Sequence, residues 1–127
     1  MTLRTGIDLV ELSRLEDLDP AVRERFLARV FTPRELQETQ GQLHRLAGRF
    51  AAKEAAAKAL GCGIGPVGWQ EIEICSGEQG EPSLALSGEA ARLAAELGLH
   101  EWSVSITHSR THAAAVVVGI TNSGGAA

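Results

Sequence analysis

The sequence predicts an α+β fold in a single domain. Helix signals crowd the stretch from Asp19 to Gly61, with two proline-led starts and one alanine-rich run. Beyond Gly61, short apolar segments alternate with polar residues and are separated by turn formers, the pattern of antiparallel strands. Helices first and strands second is the segregated order of α+β proteins. No repeat or linker interrupts the 127 residues, a length that suits one modest core. The domain is drawn at residues 1–120, and the small polar residues 121–127 read as a flexible tail.

The elements follow in order. Thr5 to Leu12 has apolar Ile7, Leu9 and Leu12 and reads as a first strand running into a short helical turn. Asp19-Pro20 offers an N-cap and a proline at the first helical position, opening a helix through Phe26 to about Val30. Thr32-Pro33-Arg34-Glu35 is a capping box that starts another helix, with a break near Gly41. Leu46 to Leu60 is the strongest helix, dense in alanine and stopped by Gly61. After the glycine-rich loop at residues 61–66, Gln70 to Cys75 alternates glutamate with isoleucine as a half-buried strand. A turn at residues 76–80 returns the chain to a short strand at Ser83–Leu86. Ser87 is expected to cap an alanine-rich helix ending at Gly98. Trp102 to Thr107 and Ala113 to Ile120 read as two further strands joined by a turn at residues 108–112.

Composition narrows the function. Hydrophobic residues make up 44% and charged residues 22%, ordinary for a soluble globular domain. No apolar run approaches the ~20 residues of a membrane span, and no basic region precedes a long apolar stretch, so a cytoplasmic protein without membrane contact is expected. Cys62 and Cys75 show neither a disulfide framework nor metal-ligand spacing. A net charge of −4 argues against nucleic acid. Residues 1–60 nevertheless hold ten Arg and Lys against nine Asp and Glu, while residues 61–127 hold two against seven. That asymmetry is either a solvated surface or a place for an anion on the first half.

Four features carry chemistry. Asp8 interrupts the apolar strand Gly6-Ile7-Asp8-Leu9-Val10; a buried carboxylate there needs a cation, while an edge position leaves it solvated. On the alanine helix, Glu54 and Lys58 stand four apart and share a face, as do Arg49 and Lys53. The spacing fits a stabilising surface pair or a set of functional groups on small neighbours. The loop Gly61-Cys62-Gly63-Ile64-Gly65-Pro66 is not a P-loop, since its lysine precedes the glycines; it suits a helix stop or a phosphate-facing turn. His108 ends the strand Ser103–His108, as an exposed turn residue, a phosphate ligand or a base.

The order of the blocks is more telling than any one. Gly6-Ile7-Asp8, Phe31-Thr32-Pro33-Arg34-Glu35, Gly48-Arg49-Phe50-Ala51-Ala52-Lys53-Glu54-Ala55 with Lys58 and Gly61, Gly80-Glu81-Pro82 and Ser105-Ile106-Thr107-His108 together resemble the holo-acyl-carrier-protein synthases. The resemblance spans roughly residues 4–120, and the lysine–glutamate helix is its most specific part.

It implies a small α+β domain assembled as a homotrimer with sites between protomers. It also implies transfer of 4′-phosphopantetheine from coenzyme A to a serine of apo acyl carrier protein, with magnesium and release of adenosine 3′,5′-bisphosphate, in fatty-acid or polyketide synthesis. By the same resemblance Asp8 and Glu54 hold the metal, and Lys58 holds the pyrophosphate. Arg49 and Lys53 take the remaining phosphates, with the amides of Gly61, Gly63 and Gly65 as a cradle. His108 contacts the nucleotide 3′-phosphate or helps deprotonate the serine, and Arg14 and Arg25 meet the acidic carrier protein. Cys62, Ser109 and His112 depart from the residues usual at those places. Two rivals stand beside this reading: a non-catalytic module binding coenzyme A or a carrier protein, and another magnesium-dependent phosphohydrolase. The lack of three clustered carboxylates counts against the second.

Overall fold

The computed structural model describes residues 2–121, and the expected tail at 122–127 lies outside them. Strand β1 (Leu3–Glu11) leads through helix α1 (Ser13–Glu16) into α2 (Pro20–Val30), α3 (Pro33–Thr39) and α4 (Leu43–Leu60). A 3₁₀ turn at Trp69–Glu71 precedes the hairpin β2 (Ile72–Ser76) and β3 (Pro82–Leu86), and helix α5 (Gly88–Glu96) leads to β4 (Leu99–His108) and β5 (His112–Thr121). The expected α+β class is therefore the observed one.

Local chemistry sets most boundaries. Asp19 accepts the amide of Ala21 at 3.0 Å and Pro20 takes the first turn of α2. Thr32 and Glu35 close a reciprocal capping box on α3. Ser87 does not cap α5 as its sequence position suggests, because its side chain makes no cap bond. The Glu71 carboxylate takes that place, accepting the Glu89 amide at 2.9 Å, and Gly88 turns the chain at φ 54° to present it. Helix α4 begins three residues earlier than its sequence pattern indicates, at Leu43.

The sheet runs β1-β5-β4, antiparallel throughout, and β2-β3 forms a separate two-stranded sheet. Helix α4 lies across the inner face of the larger sheet, burying Ala51, Ala55 and Ala59 against Val10, Ala115 and Val117. A Cβ at Gly6 would fall 1.7 Å from the Ala55 carbonyl oxygen, so only glycine lets β1 pass this close to α4. Asp8, two residues on and on the same strand face, is thereby carried to the helix.

Among the described residues, nothing covers the outer face of this sheet. Ile7 is 68% exposed and Leu9 65%, with Leu3 and Val116 also exposed beside them. Register pairs Leu3 with Ile120 and Ile7 with Val116, so the apolar side chains form one continuous patch.

Candidate active site

The expected site residues fall into two groups in the folded chain. The first group joins β1 to the last turns of α4. Lys58 Nζ donates to Asp8 Oδ1 at 3.1 Å and to the Ile7 carbonyl at 3.0 Å. Its charge partner is therefore Asp8 across the strand and not Glu54 on its own helix. Glu54 accepts no hydrogen bond or ion pair from the described residues. Partial burial raises its pKa, the neighbouring Asp8 charge raises it further, and Lys58 and Arg14 partly oppose this. Two electrostatically coupled carboxylates with a free oxygen set suit a hard divalent cation whose other ligands come from phosphate and water. No cluster of three or more metal-ligating side chains occurs among the described residues.

The second group lines a cavity of about 390 Å³ walled by Arg45, Arg49, His44 and His108, with Glu38 at its edge. The His44 and His108 rings lie 5.4 Å apart, centroid to centroid, at 45°. Arg49 is largely buried. Its Nη1 donates to Glu38 at 2.9 Å and to the Ile74 carbonyl at 2.6 Å, and its Nη2 reaches Ser76. Burial would raise the Glu38 pKa, but hydrogen bonds from Arg49, the Ser76 amide and Arg34 outweigh it and bring the pKa down.

Along α4, nine residues and ~100° per residue put Arg49 and Lys58 on opposite sides of the helix, ~14 Å apart along its axis. One chain does not bring its two groups together.

Two expectations need correction. Lys53 has no exposed surface, and its ammonium donates to Glu35 at 2.7 Å, to the Ile72 carbonyl at 2.6 Å and to the Trp69 carbonyl at 3.0 Å. All three protons are used inside the core, so Lys53 does not face a phosphate. The loop amides are committed as well. Gly61 N–H returns to the Lys58 carbonyl, Gly63 N–H to Ala57 and Gly65 N–H to Val67. With Gly61 at φ 78°, this loop terminates α4 in a left-handed cap and does not form a cradle.

Arg14 and Arg25 are both exposed, on α1 and α2, and Arg14 lies 5.9 Å over the Phe50 ring. Sequence reasoning missed His44, Arg45 and Glu38. The available signal was spacing, since Arg45 stands one turn before Arg49. It was hidden because Gln42 makes no side-chain cap and so leaves the helix start unmarked.

Residues 4–117 match the sequence profile of the 4′-phosphopantetheinyl transferase superfamily. The chain is 44% identical over 125 residues to the holo-[acyl-carrier-protein] synthase of Herpetosiphon aurantiacus, covering 93% of this chain and 98% of that one. It is 51% identical over 115 residues to the synthase of Solidesulfovibrio magneticus, covering 89% and 94%. The fold superposes on the crystal structure of Helicobacter pylori holo-[acyl-carrier-protein] synthase in complex with coenzyme A, with a TM-score of 0.83, 33% identity, and coverage of 91% and 99%.

Proposed function

The chain belongs to the 4′-phosphopantetheinyl transferase superfamily, and we propose that it moves 4′-phosphopantetheine from coenzyme A to a serine of an apo acyl carrier protein, with magnesium. The observation that carries this is the pairing of Lys58 with Asp8 beside the Glu54 carboxylate, which has no partner among the described residues. The coverage by holo-[acyl-carrier-protein] synthases supports it.

In the reaction a serine Oγ–phosphorus bond forms at the β-phosphorus of the coenzyme A pyrophosphate, the serine loses its proton, and adenosine 3′,5′-bisphosphate leaves. Asp8 and Glu54 would hold the magnesium, which supplies charge neutralisation at the pyrophosphate when bound. Lys58 is 53% exposed, so its ammonium is free to turn from Asp8 to a phosphate oxygen and steady the leaving charge. His108 and the cavity around it serve the nucleotide end of the donor.

The two groups are parted by the body of α4, so the full site is assembled from two copies, and the reading includes a homotrimer. The exposed apolar face of Leu3, Ile7, Leu9 and Val116, on the side of β1 away from Asp8, offers the surface on which copies would pack around a three-fold axis. Arg14, whose charge acts on Glu54, and Arg25, exposed on α2, would meet the acidic carrier, whose role is the synthesis of fatty acids or polyketides. Incubating an apo carrier protein with coenzyme A, magnesium and this protein should add one phosphopantetheine by intact mass. No mass gain would return the chain to a binding module.

A further inference from the structure

Three cations form a stripe at four-residue intervals on α4, Arg45, Arg49 and Lys53, facing the side from which α3 supplies carboxylates. Lys53 takes Glu35 and Arg49 takes Glu38, each pair buried or nearly so. Helix α3 ends at Thr39, and the residues that follow, Gln40, Gly41 and Gln42, carry no charge. The stripe therefore has one cation more than it has partners. Arg45 is exposed and makes no ion pair among the described residues. It lines the same cavity as His44 and His108.

We infer that Arg45, and not Arg49, is the arginine that binds the phosphate monoester of the donor, the 3′-phosphate of coenzyme A, with His44 and His108 closing the same cavity. This rests on the transfer reading above. Both Nη1 hydrogens of Arg49 are already given to protein acceptors and its charge is balanced by Glu38, so it has little left for a dianion. A guanidinium presents a forked set of donors that matches phosphate, and one with no protein carboxylate keeps its full attraction for it. Arg49 is a positioning residue here. It fixes the end of β2 and the floor of the cavity, and Arg45 makes the contact.

The experiment compares coenzyme A with 3′-dephospho-coenzyme A as donors for the wild type, Arg45→Gln and Arg45→Lys. The wild type should prefer coenzyme A through KM. Arg45→Gln should raise KM for coenzyme A about tenfold, the scale of one charge-assisted contact, and leave KM for the dephospho donor unchanged. Its kcat should hold with both donors. Arg45→Lys should recover part of the preference. An undiminished preference in Arg45→Gln overturns the assignment. A wild type that loads the carrier but does not distinguish the donors also overturns it, while the transfer reading stands. A wild type that loads nothing from either donor overturns both.

Discussion

The Glu35 carboxylate and the Lys53 ammonium lie 2.7 Å apart in the core, with neither side chain exposed. One turn along, Glu38 and Arg49 repeat the arrangement at 2.9 Å. Glu35 has three tasks: it closes the capping box at Thr32, it neutralises Lys53, and it accepts the Ile74 amide at 2.8 Å. One carboxylate thus ties α3, α4 and β2 together and steadies Ile74 in the wall of the cavity shared by Arg45, Arg49 and His108.

The first prediction follows from that pair. Lys53→Met leaves the Glu35 carboxylate and two carbonyls buried without their cation. The cost should be about 3–5 kcal/mol, a large share of the roughly 5–15 kcal/mol that holds a domain of this kind. Urea unfolding measures it. A loss below ~1 kcal/mol would mean the pair behaves as a surface contact. Donor KM of the folded fraction should stay near that of the wild type, since Lys53 does not reach the cavity.

Glu54→Gln should abolish transfer and yet raise the melting temperature at neutral pH without magnesium. A folded pKa above the ordinary carboxylate value means the folded state holds this proton more readily than the unfolded chain. The group therefore favours folding in acid and opposes it as pH rises through the folded pKa. Removing the charge removes the opposition. Asp8→Asn should also abolish transfer, without the same gain, because it takes an ion pair from Lys58. Turnover that survives at limiting magnesium in either variant would remove that carboxylate from the metal.

Lys58→Met separates chemistry from stability. Its pair with Asp8 is half exposed and worth at most ~1 kcal/mol. Turnover should fall at least ~10²-fold, the scale for losing one preorganised donor. A steady-state assay beside a thermal melt gives both numbers. Normal turnover would make Lys58 only a strand-to-helix tie.

Arg14→Glu and Arg25→Glu should weaken use of the carrier protein and leave coenzyme A affinity almost unchanged. The penalty should shrink at high salt, because exposed charges act on association over a screened distance. Equal losses for both substrates would place these arginines in the donor pocket.

Complementation tests the shared site. Lys58→Met and His108→Ala damage opposite groups, and each should be inactive alone. Mixed and allowed to exchange subunits in equal amounts, they should regenerate about a quarter of the sites, those where an intact half of each kind meets. Ile7→Asp, on the bare face, should dissociate the assembly in sedimentation and prevent this recovery. Full inactivity after proven exchange would put both groups in one chain.

Much of this was legible in residues alone. The cap at Asp19, the box at Thr32 and Glu35 and the stop at Gly61 are local chemistry, and each boundary they mark appears in the fold. Asp8 was conspicuous because a carboxylate in an apolar strand demands a cation, and Lys58 is there. The start of α4 was not legible, because Gln42 leaves no mark, and His44 and Arg45 were lost with it.

The sequence by itself determined the class of fold, the succession of elements and which residue types are available for chemistry, since caps, periodicity and spacing act within a few residues. Only the tertiary structure decided how those charges are spent. Lys53, Arg49 and Arg45 look alike along the helix, but α3 brings carboxylates to the first two and none to the third. A charge is structural or functional according to whether a distant segment neutralises and buries it, and the packing of α3 and β2 on α4 sets that distance.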